Sequence, residues 1–491
     1  MRPMCAWAFI VVITVVLCSI NIWFAAIWTV LVAVFLFVRQ HYVKHASHLF
    51  FVITISVCIL VVLSFSITTL VYSNAKTHPG RHTLTGTVES FTLRHEDQGA
   101  SFLTLSDTSF NGDNLNARVR VFIRNFDPET SKGIIELGSR ISFTSSLNTS
   151  RVNHLSINNR IMYTANINYD DINIDGKSNT PKHTITRYSN NFLKRYMSPQ
   201  NASVIFAMLF GDRSTLDDDT SDNFRISGLT HILSVSGLHV GILIGMLIAL
   251  LKLLRIRTKY QFPIVLTVLL FYLYLCDFRF SILRASIMFM ILLFNRIYLR
   301  RHDLLSSICA AMIITLLIFP YALWAWSFQL SYACMFGIAF FYQPIQNLLK
   351  RKLKIPRFFI NGMAIYFCVT ISTLPLVIMY FNAIPVFGLV TNLFFLPILV
   401  LGFKMSVIAL TTWLGGSLLY VVNKLVALVR IGTNAIARIP FAQIHVSNDG
   451  YWFLVYFLAL ILCSRFIFIR PLYKYPAATM LFGIYFISLF V

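Results

Sequence analysis

Residues 5–38 read CAWAFIVVITVVLCSINIWFAAIWTVLVAVFLFV and contain no charged side chain. A helix needs about 20 mainly apolar residues to cross the hydrocarbon core, so this run is too long for one crossing. Ser19 and Asn21 interrupt it, and its two halves predict a helical hairpin. A third apolar run, 49–72, predicts a third helix. Arg2 ahead of the first run resembles the start of a signal peptide, yet no small-residue cleavage site closes a short apolar core, so the segment is expected to be retained.

The composition around that stretch agrees with a membrane fold. Of 491 residues, 57% are hydrophobic and 12% charged, against about 25% charged in soluble domains. A soluble core cannot hide that much apolar surface, and in lipid only helices and closed barrels satisfy their own backbone hydrogen bonds. An ordinary soluble enzyme or binding domain is thereby excluded for the chain as a whole.

One region departs from this pattern. Between 76 and 200 the sequence turns polar, with alternating segments at 83–93, 101–107, 117–124, 140–147 and 160–167. Period-two alternation between Gly, Asn and Asp clusters predicts about five short strands, and hence a small OB-like β-barrel. The expected fold is a polytopic α-helical membrane protein of about ten or eleven transmembrane helices with one inserted OB-like barrel. Its expected domains are N-terminal transmembrane helices over 1–75, the barrel over 76–185, a linker with an amphipathic helix over 186–223, and a second transmembrane block over 224–491.

Basic clusters orient the spans by the positive-inside rule. Lys252, Arg255, Arg257 and Lys259 form one, Arg296, Arg300 and Arg301 a second, and Lys350, Arg351, Lys352, Lys354 and Arg357 a third. Pairs of apolar runs lie between them, so all three fall on the cytoplasmic side. Arg39 and Lys44 give the same orientation at the other end and send the barrel outside. Beyond Arg357, the segment 384–401 carries Pro385, Asn392 and Pro397, which suit a broken or re-entrant segment as much as a span. Helices near 451–469 and 474–490 are expected to follow.

Residues 76–200 carry 15 Lys and Arg against 11 Asp and Glu, a balance of 15 − 11 = +4. Residues 223–491 carry 22 basic residues and three acids, 22 − 3 = +19. The positive-inside signal accounts for such an excess, and so does a path for a polyanion, because clustered cations steer phosphates. All eight cysteines lie in or beside apolar runs and none in 76–200, so no disulfide framework holds the barrel.

Polar chemistry gathers at 211–241, GDRSTLDDDTSDNFRISGLTHILSVSGLHVG. Five of the eight acids outside the barrel region are here. Asp217, Asp218, Asp219 and Asp222 precede a predicted helix, where acids cap and complement the dipole. Gly237, Gly241 and Gly245 recur every four residues, a stripe that lets another helix approach closely. His231, Ser234, Ser236 and His239 are read as lying inside that helix at about one membrane level. Each singly fits an interhelical hydrogen bond, whereas four together beside glycine breaks point to a pore or site.

From these residues onward the chain resembles the ComEC family, the DNA-uptake channel of bacterial competence. FRISGLTHILSVSGLHV at 224–240 is similar to that family's Gly-Leu-x-His-(Leu/Ile)-Leu-x-(Ile/Val)-Ser-Gly-Leu-His core. Leu283-Arg284-Ala285, Phe328-Gln329-Leu330-Ser331, Leu374-Pro375-Leu376 and Thr391-Asn392-Leu393 through Pro397 resemble its later motifs, in the same order. The region 76–185 resembles its OB-like domain less specifically. The metallo-β-lactamase-like domain of many relatives is expected to be missing, since its His-x-His-x-Asp-His motif does not occur here. No metal, no cofactor and no catalytic chemistry in this chain are therefore expected.

The resemblance implies an inner-membrane channel that passes single-stranded DNA into the cytoplasm, with a separate nuclease, DNA receptor and cytoplasmic helicase as partners, membrane lipids around it, and a homo-oligomer as a further expectation. A strand with one charge per nucleotide needs a hydrated, donor-lined route, so intramembrane cations are contacts to consider. Path candidates are His231, Ser234, Ser236, His239, Arg284, Gln329, Ser331 and Asn392. Arg284 leads them, the alternatives for it being a snorkelling anchor or an ion pair with Asp277. Trp324, Trp326 and Phe328 fit base stacking or an aromatic belt. On the barrel, Arg118, Arg120, Phe122 and Arg124 form a basic strand face that receives DNA or is simply solvated. Two other functions stay open: a transporter or flippase of another polar or lipid-linked substrate, and an intramembrane enzyme using Asp212, His231, Ser236 and His239, although Ser236 lacks the nucleophile-elbow glycine pattern.

Overall fold

The computed structural model describes residues 3–42, 48–73, 78–92, 101–111, 113–115, 117–124, 138–149, 157, 161–168, 171–177, 180–299, 304–412, 415–446, 452–463 and 480–481. The chain divides into two compact units, Met1–Tyr188 with Met312–Ala325, and Ser189–Ala311 with Trp326–Val491.

The first unit opens with the expected hairpin, α1 (Pro3–Ile20) and α2 (Ile22–Tyr42), and a third helix, α3 (His48–Ser73). The chain breaks at Asn21, whose side chain accepts from the Trp23 N–H at 3.0 Å and so restarts the helix. Buried Val11, Val15, Cys58 and Val61 fill the space between α1 and α3, and the Trp7 indole donates to Thr54 Oγ1 at 2.6 Å. Pro320–Trp324, a 3-10 turn, belongs to this unit: Tyr321 stacks on Phe65 at 4.5 Å and shares a 2.8 Å hydrogen bond with Thr69.

The same unit holds the barrel: β1 (His78–Thr92), β2 (Ser101–Phe110), the two-residue β3 (Asp113–Asn114), β4 (Arg118–Arg124), β5 (Ser139–Thr149), β6 (Ile161–Asn168) and β7 (Asn173–Lys177). Five of them run β1-β2-β4-β6-β5, and β5 pairs back with β1, closing the sheet on itself. All five contacts are antiparallel except the parallel β4–β6 pair. Strand β1 serves two neighbours because register shifts at Thr85/Thr87 and Val88/Ser90 bend it. Alternate residues, among them Leu84, Val88, Leu103, Leu105, Val119, Val121, Ile141 and Phe143, fill an apolar interior. The OB-like barrel legible in the alternation is therefore present.

The second unit is helical. It takes the second half of α4 (Pro181–Tyr196), whose first half belongs to the first unit, then α5 (Pro199–Phe210), α6 (Asp218–Ile226), α7 (Gly237–Leu253), α8 (Thr258–Leu275) and α9 (Phe280–Phe294), the last continued by a π-type turn. After α10 (Leu304–Ile318), which straddles the unit boundary, come α11 (Trp326–Lys352), α12 (Arg357–Phe381), α13 (Gly388–Thr411), α14 (Gly415–Ala437) and α15 (Trp452–Cys463). A short antiparallel pair, β8 (Ala383–Pro385) and β9 (Gln443–His445), ties the end of α12 to the segment after α14. Among the described residues, six helices are long and apolar enough to cross a membrane and four shorter apolar ones accompany them. The protein is a multi-pass α-helical membrane protein with one small closed β-barrel.

One open reading is decided and one expectation changes. The segment 384–401, open to a broken segment or a span, consists of the end of β8, a turn at 386–387 and the start of the continuous helix α13, with Pro397 inside it. In its first turn Asn392 Nδ2 donates to Gly388 O at 2.8 Å, Thr391 Oγ1 donates to Ser227 O at the end of α6 at 2.7 Å, and neighbouring helices make a helical proline tolerable. His231, Ser234 and Ser236 do not lie within a helix; they occupy a break before α7. The expected helix near 474–490 lies outside the described residues, save for 480–481.

Candidate nucleic-acid path

The second unit positions its polar segment through α5, a helix whose residues from Asn201 to Leu209 are all buried. A buried amide must find partners. Asn201 Nδ2 donates to Asn423 Oδ1 at 2.7 Å and to Asn423 O at 3.1 Å, and its Oδ1 accepts from Arg430 Nη1 at 3.2 Å. Arg430 Nε also donates to Thr220 at 3.2 Å, so one cation joins α5, α6 and α14. Helix α5 ends at Gly211, φ +75°, in the left-handed conformation that glycine adopts without strain. Arg279 donates to the Gly211 carbonyl and the Tyr272 hydroxyl to Leu209 O at 2.9 Å, which hold that end.

Asp212 follows immediately, accepting from the Ser214 N–H at 2.9 Å and hydroxyl at 3.0 Å. Burial raises its carboxyl above the usual range, against the Ser214 hydrogen bonds and Arg279, which lower it, and with Asp277, which adds to the rise. Asp217 caps α6, accepting from the Thr220 N–H at 3.0 Å, the capping role open to that acidic run. Gly228, φ +77°, then brings the backbone against Pro385, where an added Cβ would lie 2.9 Å from the ring.

The break before α7 is a short 3-10 turn, Thr230–Ile232, clasped by Arg213: Nε donates to Leu233 O at 3.0 Å and Nη2 to Thr230 O at 3.1 Å. His231 is exposed on it, and Ser234 Oγ donates to the His231 carbonyl at 3.2 Å. Ser236 is the N-cap of α7, and buried His239 completes the cap: its Nδ1 accepts from the Ser236 N–H at 3.1 Å and lies 3.2 Å from Ser236 Oγ. The His239 ring packs against Phe403 of α13 at 4.9 Å. Ser and His thus meet, but the imidazole lone pair serves a backbone N–H, and Asp212, the acid considered alongside them, serves Ser214.

The glycine stripe faces α9 over part of its length. A Cβ on Gly237 would meet Ala285 at 3.4 Å and one on Gly241 the Phe289 ring at 2.9 Å, while Gly245 has open space. Gly237 thereby brings the start of α7 against Ala285.

Arg284 is 3% exposed in α9. Nη2 donates to the Ser327 carbonyl at 2.6 Å and the guanidinium lies 5.8 Å from the Phe328 ring centroid. Nε and Nη1 are buried and meet no protein acceptor. Among the described residues its bonded partner is Ser327, not Asp277. Taking such a cation out of water costs several kcal/mol even after relaxation, so its two remaining donors favour an anion. Next to it on α11, Gln329 Oε1 accepts from Tyr380 at 2.8 Å, joining α11 to α12. Ser331, two residues later, is half-buried. Asn392 bonds its own helix, as above. Trp326 stands 52% exposed, edge-on to Phe381 at 5.6 Å, Phe328 is buried, and Trp324 sits beside Tyr321 in the first unit.

The sequence alone did not single out Gly337 and Ser372, where α11 and α12 pack most closely; lone small residues in apolar runs carry no periodic signal. On the barrel, Arg118 pairs with Glu89, whereas Arg120 lies over Phe102 at 4.9 Å. Burial lowers the Arg120 guanidinium from its usual value. Phe122 is half-buried on the same strand, and Arg124 ends it.

The model of a family described as competence protein matches residues 208–471, more than half of the chain. ComE operon protein 3 of Bacillus subtilis (strain 168) is 31% identical over 32% of this chain and 20% of that protein. Recombination protein 2 of Haemophilus influenzae is 27% identical over 33% of this chain and 26% of that protein. The matched part of the chain thus spans a fifth to a quarter of the length of these relatives. No solved structure matches the chain.

Proposed function

The chain belongs to the competence protein family, and from that premise we propose that it forms a channel in the bacterial inner membrane through which one DNA strand passes into the cytoplasm. The observation that carries this reading is Arg284, a buried cation with two nitrogens unmatched by protein acceptors. A backbone phosphate supplies the oxygen that those donors lack, and a single such site binds without trapping a moving strand. His231, Ser234, Gln329 and Ser331 add neutral donors and acceptors along the path. Ser236, His239 and Asn392 act as positioning residues, holding the break before α7 and the first turn of α13. Gly237 and Gly241 let α7 pack closely against α9, the helix that carries Arg284.

In this reading the barrel lies on the outer side and meets DNA first, which the positive-inside rule applied to the basic clusters at 252–259, 296–301 and 350–357 supports. The chain conducts rather than cleaves. Strand degradation, capture and pulling fall to a separate nuclease, a DNA receptor and a cytoplasmic helicase, and the channel accommodates a homo-oligomer.

Cells deleted for the chain test this directly. Transformation is expected to disappear and labelled DNA to stall outside the inner membrane, both restored by the wild-type chain. Normal transformation in the deletion strain overturns the reading.

A further inference from the structure

Arg284 opens the second turn of α9 and donates to the Ser327 carbonyl in the first turn of α11. A helix start carries a partial positive charge, so a cation placed there is disfavoured unless an anion joins it. Neither α9 nor α11 has an acid in its first turn, and Ala325, which precedes α11, has no side-chain oxygen to accept from the first N–H groups. The Phe328 ring lies 5.8 Å from the guanidinium and Tyr332 packs on Phe328 at 4.4 Å, both buried. An aromatic face returns only part of the hydration that a buried cation gives up. A guanidinium, unlike a buried lysine, does not escape by losing its proton. Nε and Nη1 are buried and meet no acceptor among the described residues. Half-buried Ser327 and Trp326, 52% exposed, leave the first turn of α11 open to a small solute. One charge with two unmatched donors therefore sits at a helix start.

We propose that in the DNA-free chain Arg284 and the start of α11 hold a small monovalent inorganic anion of the size of chloride, and that each arriving DNA phosphate exchanges with it. A monovalent ion matches the single charge of the guanidinium, whereas a divalent one replaces an unpaired cation by an unpaired anion. A nucleotide phosphate also carries one charge, so the exchange leaves the buried cation paired before and after. The cost of an unpaired charge out of water then falls on neither state. Release of the resting ion offsets part of the cost of drawing a hydrated phosphate into the site, as counterion release does on the surface of DNA-binding proteins. Chloride and DNA consequently compete at one residue. This inference rests on the reading of Arg284 as a contact of the passing strand, because it names what that strand displaces.

The test follows thermal unfolding of the full chain in nanodiscs of zwitterionic lipid while chloride replaces gluconate at constant ionic strength. The wild-type unfolding temperature is expected to rise by about 3 °C across a roughly hundredfold increase in chloride. Arg284→Gln, which keeps a donor for Ser327, is expected to show no rise and Arg284→Lys a smaller one. Arg296→Gln, which removes an exposed cation beyond the far end of α9, is expected to keep the full rise. Saturating oligothymidylate is expected to abolish the chloride response of the wild type, and a response that persists overturns the exchange. A wild-type chain indifferent to chloride overturns the anion site whether or not the variants fold, as does an equal rise in Arg284→Gln. Chloride indifference together with transformation that is lost on deleting the chain overturns the anion site and leaves the uptake reading standing. A chloride response that depends on Arg284, with normal transformation in the deletion strain, overturns the uptake reading and leaves the anion site.

Discussion

Arg284 Nη2 donates to the Ser327 carbonyl at 2.6 Å, and the other two nitrogens of the same buried guanidinium meet no protein acceptor. One bond fixes where the cation sits relative to the start of α11, and the remaining donors are held in place for something else. A flexible lysine at this position would present a point charge instead of a fixed fork. The arrangement separates positioning from binding within one side chain, which the predictions below exploit.

The three glycines of α7 are not equivalent. Gly241→Ala is expected to destabilise the chain by about 1–2 kcal/mol because its methyl meets the Phe289 ring, whereas Gly245→Ala faces open space and stabilises by up to about 1 kcal/mol through helix propensity. Gly337→Ala, which drives a methyl toward Ser372 and to 2.8 Å from Cys368 O, is expected to be the most damaging, at about 2–3 kcal/mol. Thermal unfolding in detergent ranks the three.

His239 caps the helix that it begins. His239→Ala removes the acceptor of the Ser236 N–H and the contact with Phe403, an expected loss of about 1–2 kcal/mol. His239→Gln keeps an acceptor at the third position of a capping box and is expected to recover more than half of that loss. The same unfolding measurement decides it; equal damage from both substitutions contradicts a capping role.

Asp212 sets a pH dependence whose sign follows from burial. Its carboxyl lies above the ordinary value of 3.8, so the folded chain favours the protonated form. Stability from this group is fully present below the unfolded value and is lost as pH rises through the raised folded value. Asp212→Asn, which retains an acceptor for Ser214, is expected to flatten that fall. The difference in unfolding temperature between wild type and variant, followed from acid toward neutral pH, reports it.

Much of this architecture was legible because lipid and β-sheets impose strong periodicities. The uncharged run 5–38 dictated a hairpin that turns at Asn21, and the alternation in 83–167 dictated five strands that close into a barrel. What remained hidden depended on partners distant in sequence. Pro397 reads locally as a breaker, yet α13 continues through it because neighbouring helices pack around it. Ser236 and His239 read as polar groups within a helix, but they begin one. That Arg118 is paired while Arg120 lies on a ring depends on Glu89 and Phe102, residues of strands β1 and β2 that no spacing rule links to β4.

The most direct measurement counts labelled DNA that reaches the cytoplasm, per molecule of membrane-inserted chain, in cells whose only copy carries wild-type Arg284, Arg284→Lys, Arg284→Gln or Arg284→Ala. Gln retains a donor for Ser327 without charge and so separates the clamp from the cation. The Gln variant is expected to insert normally with DNA passage reduced roughly a hundredfold, the worth of about 3 kcal/mol in a charged hydrogen bond, with a similar fall for Ala and partial passage for Lys. Wild-type passage through inserted Arg284→Gln contradicts it.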